Sequence, residues 1–420
     1  MIHTFELTNG VTLRCFPDNR FKQSALSVQF LRPMCREEAA MNALLPAVLL
    51  RGCESCPDLR TITLRLDDLY GASVGALVRR VGDYQTTGLH AGFIEDKYAL
   101  QDDAIFAPMV AFLKELLFHP VREEGVFRPS FVESEKRNLI ATLEAQKNDK
   151  RAYAGSQMIR KMCKIDSFGI PRLGEKEQVA AITPQALYDH YQRILKESPI
   201  QLFYVGSQEP EKIAQVLGKL FSDLDRNCIT LPPQTAYQDS GKGDYTEEMD
   251  VSQGKLCMGF VTDITLRTED FAAMQVFNAL YGAGMTSKLF MQVREKLSLC
   301  YDIGTGYHGS KGIITLSAGI DFDQYDRVRQ EVMNQLEACR REEISQQELT
   351  AAKQALVAQL RSTHDSPGSI EGYYATAAIS GLALDPDGYM QAVEAVTAAD
   401  VARVAQTLQL HTVYFLKGVK

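Results

Sequence analysis

The chain has 420 residues, 45% of them apolar and 23% charged, the composition of a globular protein with material for roughly two to four domains. Its formal charge is −8 with no basic block, which argues against a nucleic-acid partner, because phosphate recognition draws on clustered Lys and Arg. MIHTFELTNG is neither a basic nor an apolar leader, and no stretch approaches the ~18 apolar residues of a membrane helix, so the expectation is a cytoplasmic protein without a membrane partner.

In chain order, Met41, Leu44, Leu45, Val48 and Leu49 hold the spacing of a core-facing helix. Pro46 lies inside that pattern. A proline past the first turn removes a backbone donor, so this helix is expected to kink or to begin about three residues later than its pattern suggests. Cys53 and Cys56 form a CxxC with no second pair and no neighbouring His. With nine cysteines scattered from Cys15 to Cys339, they read as buried structural thiols of a reducing compartment. Leu59, Ile62, Leu66 and Leu69 predict a second helix, and Tyr84, Thr86, Gly88 and His90 alternate as in a half-polar strand. A Pro- and Gly-punctuated stretch from His119 to Pro129 precedes a helix through Val132–Lys136.

The second half repeats the first. Ile182-Thr183-Pro184-Gln185-Ala186-Leu187 returns half a chain later as Val396-Thr397-Ala398-Ala399-Asp400-Val401, each with Thr at a helix N-cap. The strand Leu202-Phe203-Tyr204-Val205-Gly206 returns as Val413-Tyr414-Phe415-Leu416-Lys417-Gly418. The strand ending His90-Ala91-Gly92-Phe93 resembles the one ending Ser317-Ala318-Gly319-Ile320, with extra residues in the first half, most naturally in 119–129. Between the halves, Thr230-Leu231-Pro232-Pro233-Gln234 through Gly243 reads as a linker. The expected architecture is α+β: two homologous domains, 1–228 and 247–420, joined by 229–246, each a mostly antiparallel sheet with helices packed on one face.

Gly282-Ala283-Gly284-Met285-Thr286-Ser287-Lys288-Leu289-Phe290, then Val293-Arg294-Glu295-Lys296 and Leu299-Cys300-Tyr301, form the most specific stretch. Gly282 and Gly284 permit backbone angles closed to other residues, and Thr286 or Ser287 can cap a helix with Leu289, Phe290, Val293 and Leu297 as its stripe. This stretch, after Gln253-Gly254-Lys255-Leu256-Cys257-Met258-Gly259-Phe260, resembles the second domain of insulinase- and pitrilysin-like zinc metallopeptidases, the inverzincins. With the repeat, the resemblance spans essentially the whole chain. It implies that Arg294 and Tyr301 bind the scissile carbonyl region of a peptide, as an Arg fork and a phenol suit a developing oxyanion, and that Gly282 and Gly284 border the bound substrate.

Active members of that family carry HxxEH on a first-domain helix, two His that hold zinc and a Glu that activates water. Aligning Gly52 with the glycine closing their motif places Ala43, Pro46 and Ala47 at those positions. Histidines 3, 90, 119, 190, 308, 364 and 411 contain no i, i+4 pair, and His90 and His308 stand alone in strands. Glu135 matches the family's third ligand but, without the His pair, reads as a solvated helix carboxylate. No metal and no cofactor is therefore expected. The resemblance is to the non-catalytic subunits of processing-type peptidases, and to a bacterial branch associated with elongation factor P modification. It implies a heterodimer with a zinc-bearing HxxEH paralogue to which this chain lends Arg294 and Tyr301, with homodimers and a purely structural or peptide-binding role as alternatives.

Overall fold

The computed structural model describes residues 2–100, 103–222 and 224–419. They divide into two units, the first comprising 1–144, 170–233 and 364–376, the second 145–169, 234–363 and 377–420.

The first unit is built on strands β1 (His3–Thr8), β2 (Val11–Pro17), β3 (Gln23–Pro33), β4 (Ser73–Val81), β5 (Tyr84–Ile94) and β8 (Ile200–Gly206), with a hairpin of β6 (Arg122–Glu123) and β7 (Val126–Phe127) apart from them. The sheet order is β1-β2-β8-β3-β5-β4. That hairpin occupies the 119–129 stretch where extra residues were expected. The second unit is built on β9 (Gly243–Met249), β10 (Gly254–Val261), β11 (Asp302–His308), β12 (Ile313–Ile320) and β13 (Gln409–Gly418). Its order is β11-β12-β10-β13-β9. Read from β9, this is the order of the first sheet without β1, so the internal repeat is a repeat of topology. Each sheet is antiparallel except at one pair, β2 with β8 and β9 with β13.

Helices α1 (Arg36–Leu49), α2 (Leu59–Asp68), α3 (Phe106–Phe118) and α4 (Pro129–Gln146) belong to the first unit for most of their length, and α5 (Lys150–Met162) to the second. Asp58 caps α2, its carboxylate accepting the Thr61 N–H at 2.8 Å. Thr183 and Thr397 cap the two repeated helices, accepting from the N–H groups of Ala186 and Asp400 at 3.1 and 3.2 Å.

The division of the chain differs from the contiguous halves expected from sequence. Strands β8 and β10 are buried along nearly their whole length rather than at alternate positions, so both faces of each sheet need cover. In the second unit, Ala154, Met158 and Met162 of α5 pack with Cys257, Tyr414 and Leu416. In the first, Ile370 and Ala375 pack with Phe16, Phe203 and Val205. Each sheet therefore carries, besides the helices of its own half, one helix supplied by the other half of the sequence.

The 229–246 stretch is also more ordered than its composition suggests. Residues 243–246 open β9, and the Tyr237 N–H donates to the Lys311 carbonyl at 2.9 Å. Lys311 and Asp166 form an ion pair at 3.0 Å with side chains 0% and 1% exposed, and Asp166 also accepts the Gln238 N–H at 3.0 Å. Such a pair is held by its extra hydrogen bonds, since the desolvation of two charges offsets much of their attraction. Among the described residues no helix is long and apolar enough to cross a membrane.

Candidate functional site

In the first unit, α1 carries the positions where the family's zinc motif would stand. The helix runs unbroken from Arg36 to Leu49 with Pro46 inside and buried, so it does not begin late. Its missing donor would have served the Asn42 carbonyl, which instead accepts Thr87 Oγ1 at 2.7 Å. Asn42 is fully buried and its side chain is satisfied as well: Nδ2 donates to Gln85 at 2.9 Å, and Oδ1 faces His190 Nε2 at 2.7 Å. Burial pushes the His190 imidazole down to about 4, against the pull of Glu38, which leaves it neutral near pH 7.

Ala43 and Pro46 are buried, and Pro46 lines a small apolar pocket together with Phe30, Leu49, Leu117, Tyr191 and Ile194. Glu135 is not the solvated carboxylate expected. Its side chain is only 12% exposed and lies 3.3 Å from the Arg51 guanidinium, which also stands over the Phe131 ring. The second carboxylate oxygen accepts from Asn138 at 3.1 Å. The residues at this face do not fit a zinc ion: methyl and pyrrolidine groups offer no lone pair, and the one carboxylate faces a cation. Among the described residues no group of three His, Cys, Asp or Glu is placed to hold a metal.

In the second unit, a cleft of about 680 Å³ opens between α5, the turn after the helix Phe271–Tyr281, and strands β11 and β12. Gly282, Gly284 and Arg294 line it. Neither glycine has a positive φ, so the torsional reading of the turn is corrected. Gly282 is required by crowding, since a Cβ there would stand 2.5 Å from the Thr305 side chain, and its carbonyl accepts the Thr305 N–H at 3.1 Å. Gly284 faces open space.

Ser287 caps the following helix, its hydroxyl accepting the Phe290 N–H at 3.3 Å. From Phe290 to Lys296 the helix is of the wide π form, and the Leu297 N–H reaches back to the Gln292 carbonyl at 3.0 Å. It ends at Ser298 with φ 51°, a left-handed turn that costs a non-glycine residue roughly 1 kcal/mol or more. Wide turns of this kind cluster at functional sites. This one carries Arg294, whose guanidinium carbon stands 4.6 Å from the Phe290 ring centre.

Tyr301 lies just before β11, not in it. It is 58% exposed, is absent from the cleft lining, and donates to Asp321 at 3.0 Å. That hydrogen bond raises its phenol above the ordinary value. The geometry thus places Arg294 in the cleft and Tyr301 outside it.

The sequence reading missed Arg151 and Asp302, which also line the cleft. Arg151 Nε donates to Ser317 at 3.0 Å, and its Nη1 lies 3.1 Å from Asp302. Asp149 caps α5, accepting from the Arg151 and Ala152 N–H groups at 3.1 and 3.0 Å. In the sequence, Arg151 stands in a charged run that looks like a solvated helix start; only the exchange of α5 into this unit gives it a role. Cys53 and Cys56 are both buried, in a turn closed by their own main-chain bonds at 2.9 and 3.1 Å. Burial raises the Cys56 thiol, which disfavours a reactive thiolate.

Residues 181–356 match the family model described as the peptidase M16 inactive domain. A Bacillus subtilis (strain 168) protein named "Probable inactive metalloprotease YmfF" is 29% identical over 411 residues, covering 98% of this chain and 96% of that protein. A conserved protein from Enterococcus faecalis V583 superposes with a TM-score of 0.93 at 28% identity, over 100% of this chain and 99% of that one. The peptidase M16 inactive domain from Pseudomonas fluorescens shares the fold, with a TM-score of 0.82 at 16% identity over 100% and 98% of the two chains. With the repeated topology and the glycine turn, these matches make the chain similar to members of the peptidase M16 family, to its inactive domain over residues 181–356 and to a probable inactive metalloprotease over 98% of the chain.

Proposed function

We propose that this chain is a non-catalytic, substrate-orienting subunit of a heterodimeric M16-type peptidase, whose partner carries the zinc helix. The observation that carries this reading is the contrast between the two units. At α1 every ligand position is a hydrocarbon and the remaining carboxylate is neutralised by Arg51, whereas the second unit keeps an open cleft with Arg294 on its wall. A fork held against an aromatic ring suits a developing oxyanion, which neighbouring hydrogen-bond donors stabilise by ~3–4 kcal/mol each. The substrate is a peptide or protein segment, and the chain needs no cofactor of its own for this task.

One observation favours the purely structural alternative: the Tyr301 hydroxyl is engaged by Asp321 rather than directed into the cleft. Assay of the chain reconstituted with an HxxEH-bearing paralogue separates the two. Arg294→Ala or Tyr301→Phe is expected to leave assembly unchanged and to lower kcat by roughly ten- to a thousandfold. Variants that match the native pair in both kcat and KM would leave the structural reading standing.

A further inference from the structure

Two guanidinium groups reach the cleft of the second unit, and only one is already engaged. Arg151 is tied to Ser317 and Asp302. Arg294 is 41% exposed on its side chain, and the Glu295 carboxylate lies 3.6 Å away, too far for a hydrogen bond. Among the described residues its fork donates to no acceptor of the chain. The Phe290 ring centre lies 4.6 Å from its guanidinium carbon and restrains the side chain, and an unengaged guanidinium fork can recognise a planar anion through two parallel bonds.

We propose that this cleft is a groove for a short apolar peptide that bears a carboxylate, with the carboxylate seated on Arg294. The proposal rests on the reading of the second unit as substrate-facing, and adds what the ligand must carry. Charge selects the anion. Asp149, Arg151, Arg294 and Asp302 line the cleft and their formal charges cancel, so a single carboxylate leaves a small imbalance, whereas a phosphate dianion would sit against two aspartates. Met158, Ile159, Phe290 and Leu316 supply apolar walls for side chains.

The floor accords with a peptide backbone. Gly155, Gly284, Gly304 and Gly306 all border the cleft, none has a positive φ, and no neighbouring atom comes within 3.4 Å of the Cβ each would carry. Neither torsion nor packing within the chain demands glycine there. Close approach of a second main chain does.

A carboxyl terminus and an Asp or Glu side chain present the same chemistry, and the test tells them apart. A dye-labelled Ala-Val-Leu-Phe-Leu peptide is titrated with the full chain alone, by fluorescence anisotropy, in three forms: free acid, C-terminal amide, and amide with Glu in place of the last Leu. At least one carboxylate form is expected to bind about 10- to 100-fold more tightly than the uncharged amide, the worth of a charge-assisted pair, and the form that does so identifies the source. Arg294→Gln should reduce that form to the level of the uncharged amide, and Gly304→Val should weaken every form by filling the floor, with circular dichroism verifying that both variants fold. Equal affinity of all forms, a carboxylate preference that survives Arg294→Gln, or no binding at millimolar peptide would overturn the groove. If Arg294→Ala lowers turnover of the reconstituted pair while the isolated chain shows no carboxylate preference, the groove is wrong and the proposed function stands. Carboxylate-selective binding with turnover indifferent to Arg294 would reject the in-trans role and retain the groove.

Discussion

Glu135 is a largely buried carboxylate that needs a cation, and Arg51 provides it at 3.3 Å. Arg51→Ala should therefore destabilise the chain by about 1–3 kcal/mol, chiefly by leaving the carboxylate unpaired. In that background Glu135→Gln should recover part of the loss, and additive effects in denaturant titrations of the four variants would contradict the pairing. His190 makes a prediction of opposite origin. Its imidazole is held at about 4 when folded but titrates near 6.5 in an unfolded chain. The unfolded state thus binds more protons between those values. The stability from keeping His190 neutral is complete above pH ~6.5 and is lost as the pH falls toward ~4, by something on the order of 2–3 kcal/mol. Thermal melts from pH 7 to pH 4.5 should show this fall, and His190→Gln should flatten it; an equal fall in the variant would assign the effect elsewhere. The placement of Ala43, Pro46 and Ala47 at the zinc-motif positions rests on the resemblance that aligns Gly52 with the glycine closing that motif. The Arg51–Glu135 pair was not legible in the sequence, because sequence spacing on separate helices carries no information on which charges meet.

The helix α1 shows how an element can keep a pattern that its own composition opposes. Its apolar stripe was legible, and Pro46 argued for a kink or a late start, yet the helix spans Arg36–Leu49 because the orphaned Asn42 carbonyl finds Thr87 on β5. A tertiary hydrogen bond overrides a local rule. Thr87→Val should cost about 1–3 kcal/mol by leaving that buried carbonyl unpaired. In a Pro46→Ala background the restored N–H can serve the carbonyl, so the same Thr87→Val change should cost markedly less; equal costs in both backgrounds, measured by urea unfolding, would reject this account of the helix. The segment Phe290–Lys296 taught the reverse lesson. Leu289, Phe290, Val293 and Leu297 fit an ordinary helical stripe, and nothing in that spacing distinguishes the wide π form that the structure adopts, since periodicity resolves the face of a helix better than its pitch.

At the scale of the whole molecule, the repeat and the α+β class were legible from paired motifs half a chain apart, and the two sheets share one strand order. The exchange of segments was not read from the sequence. The unbroken apolar run Leu202-Phe203-Tyr204-Val205 signals a strand covered on both faces, but it does not say which helix provides the cover. Because 145–169 belongs to the second unit and 364–376 to the first, separately expressed fragments 1–228 and 247–420 should each expose an apolar sheet face and fail to fold or stay soluble, whereas co-expression should recover folded material. Two independently stable fragments with cooperative melts would contradict the exchange. The central claim, a chain that is silent alone and contributes to a partner's activity, is tested most directly by peptide turnover measured for three samples: this chain, a zinc-bearing HxxEH paralogue, and their mixture. The account predicts no hydrolysis by this chain, and turnover by the mixture at least tenfold above the paralogue alone. Chelator-sensitive hydrolysis by this chain alone, or a mixture no more active than the paralogue, would contradict it.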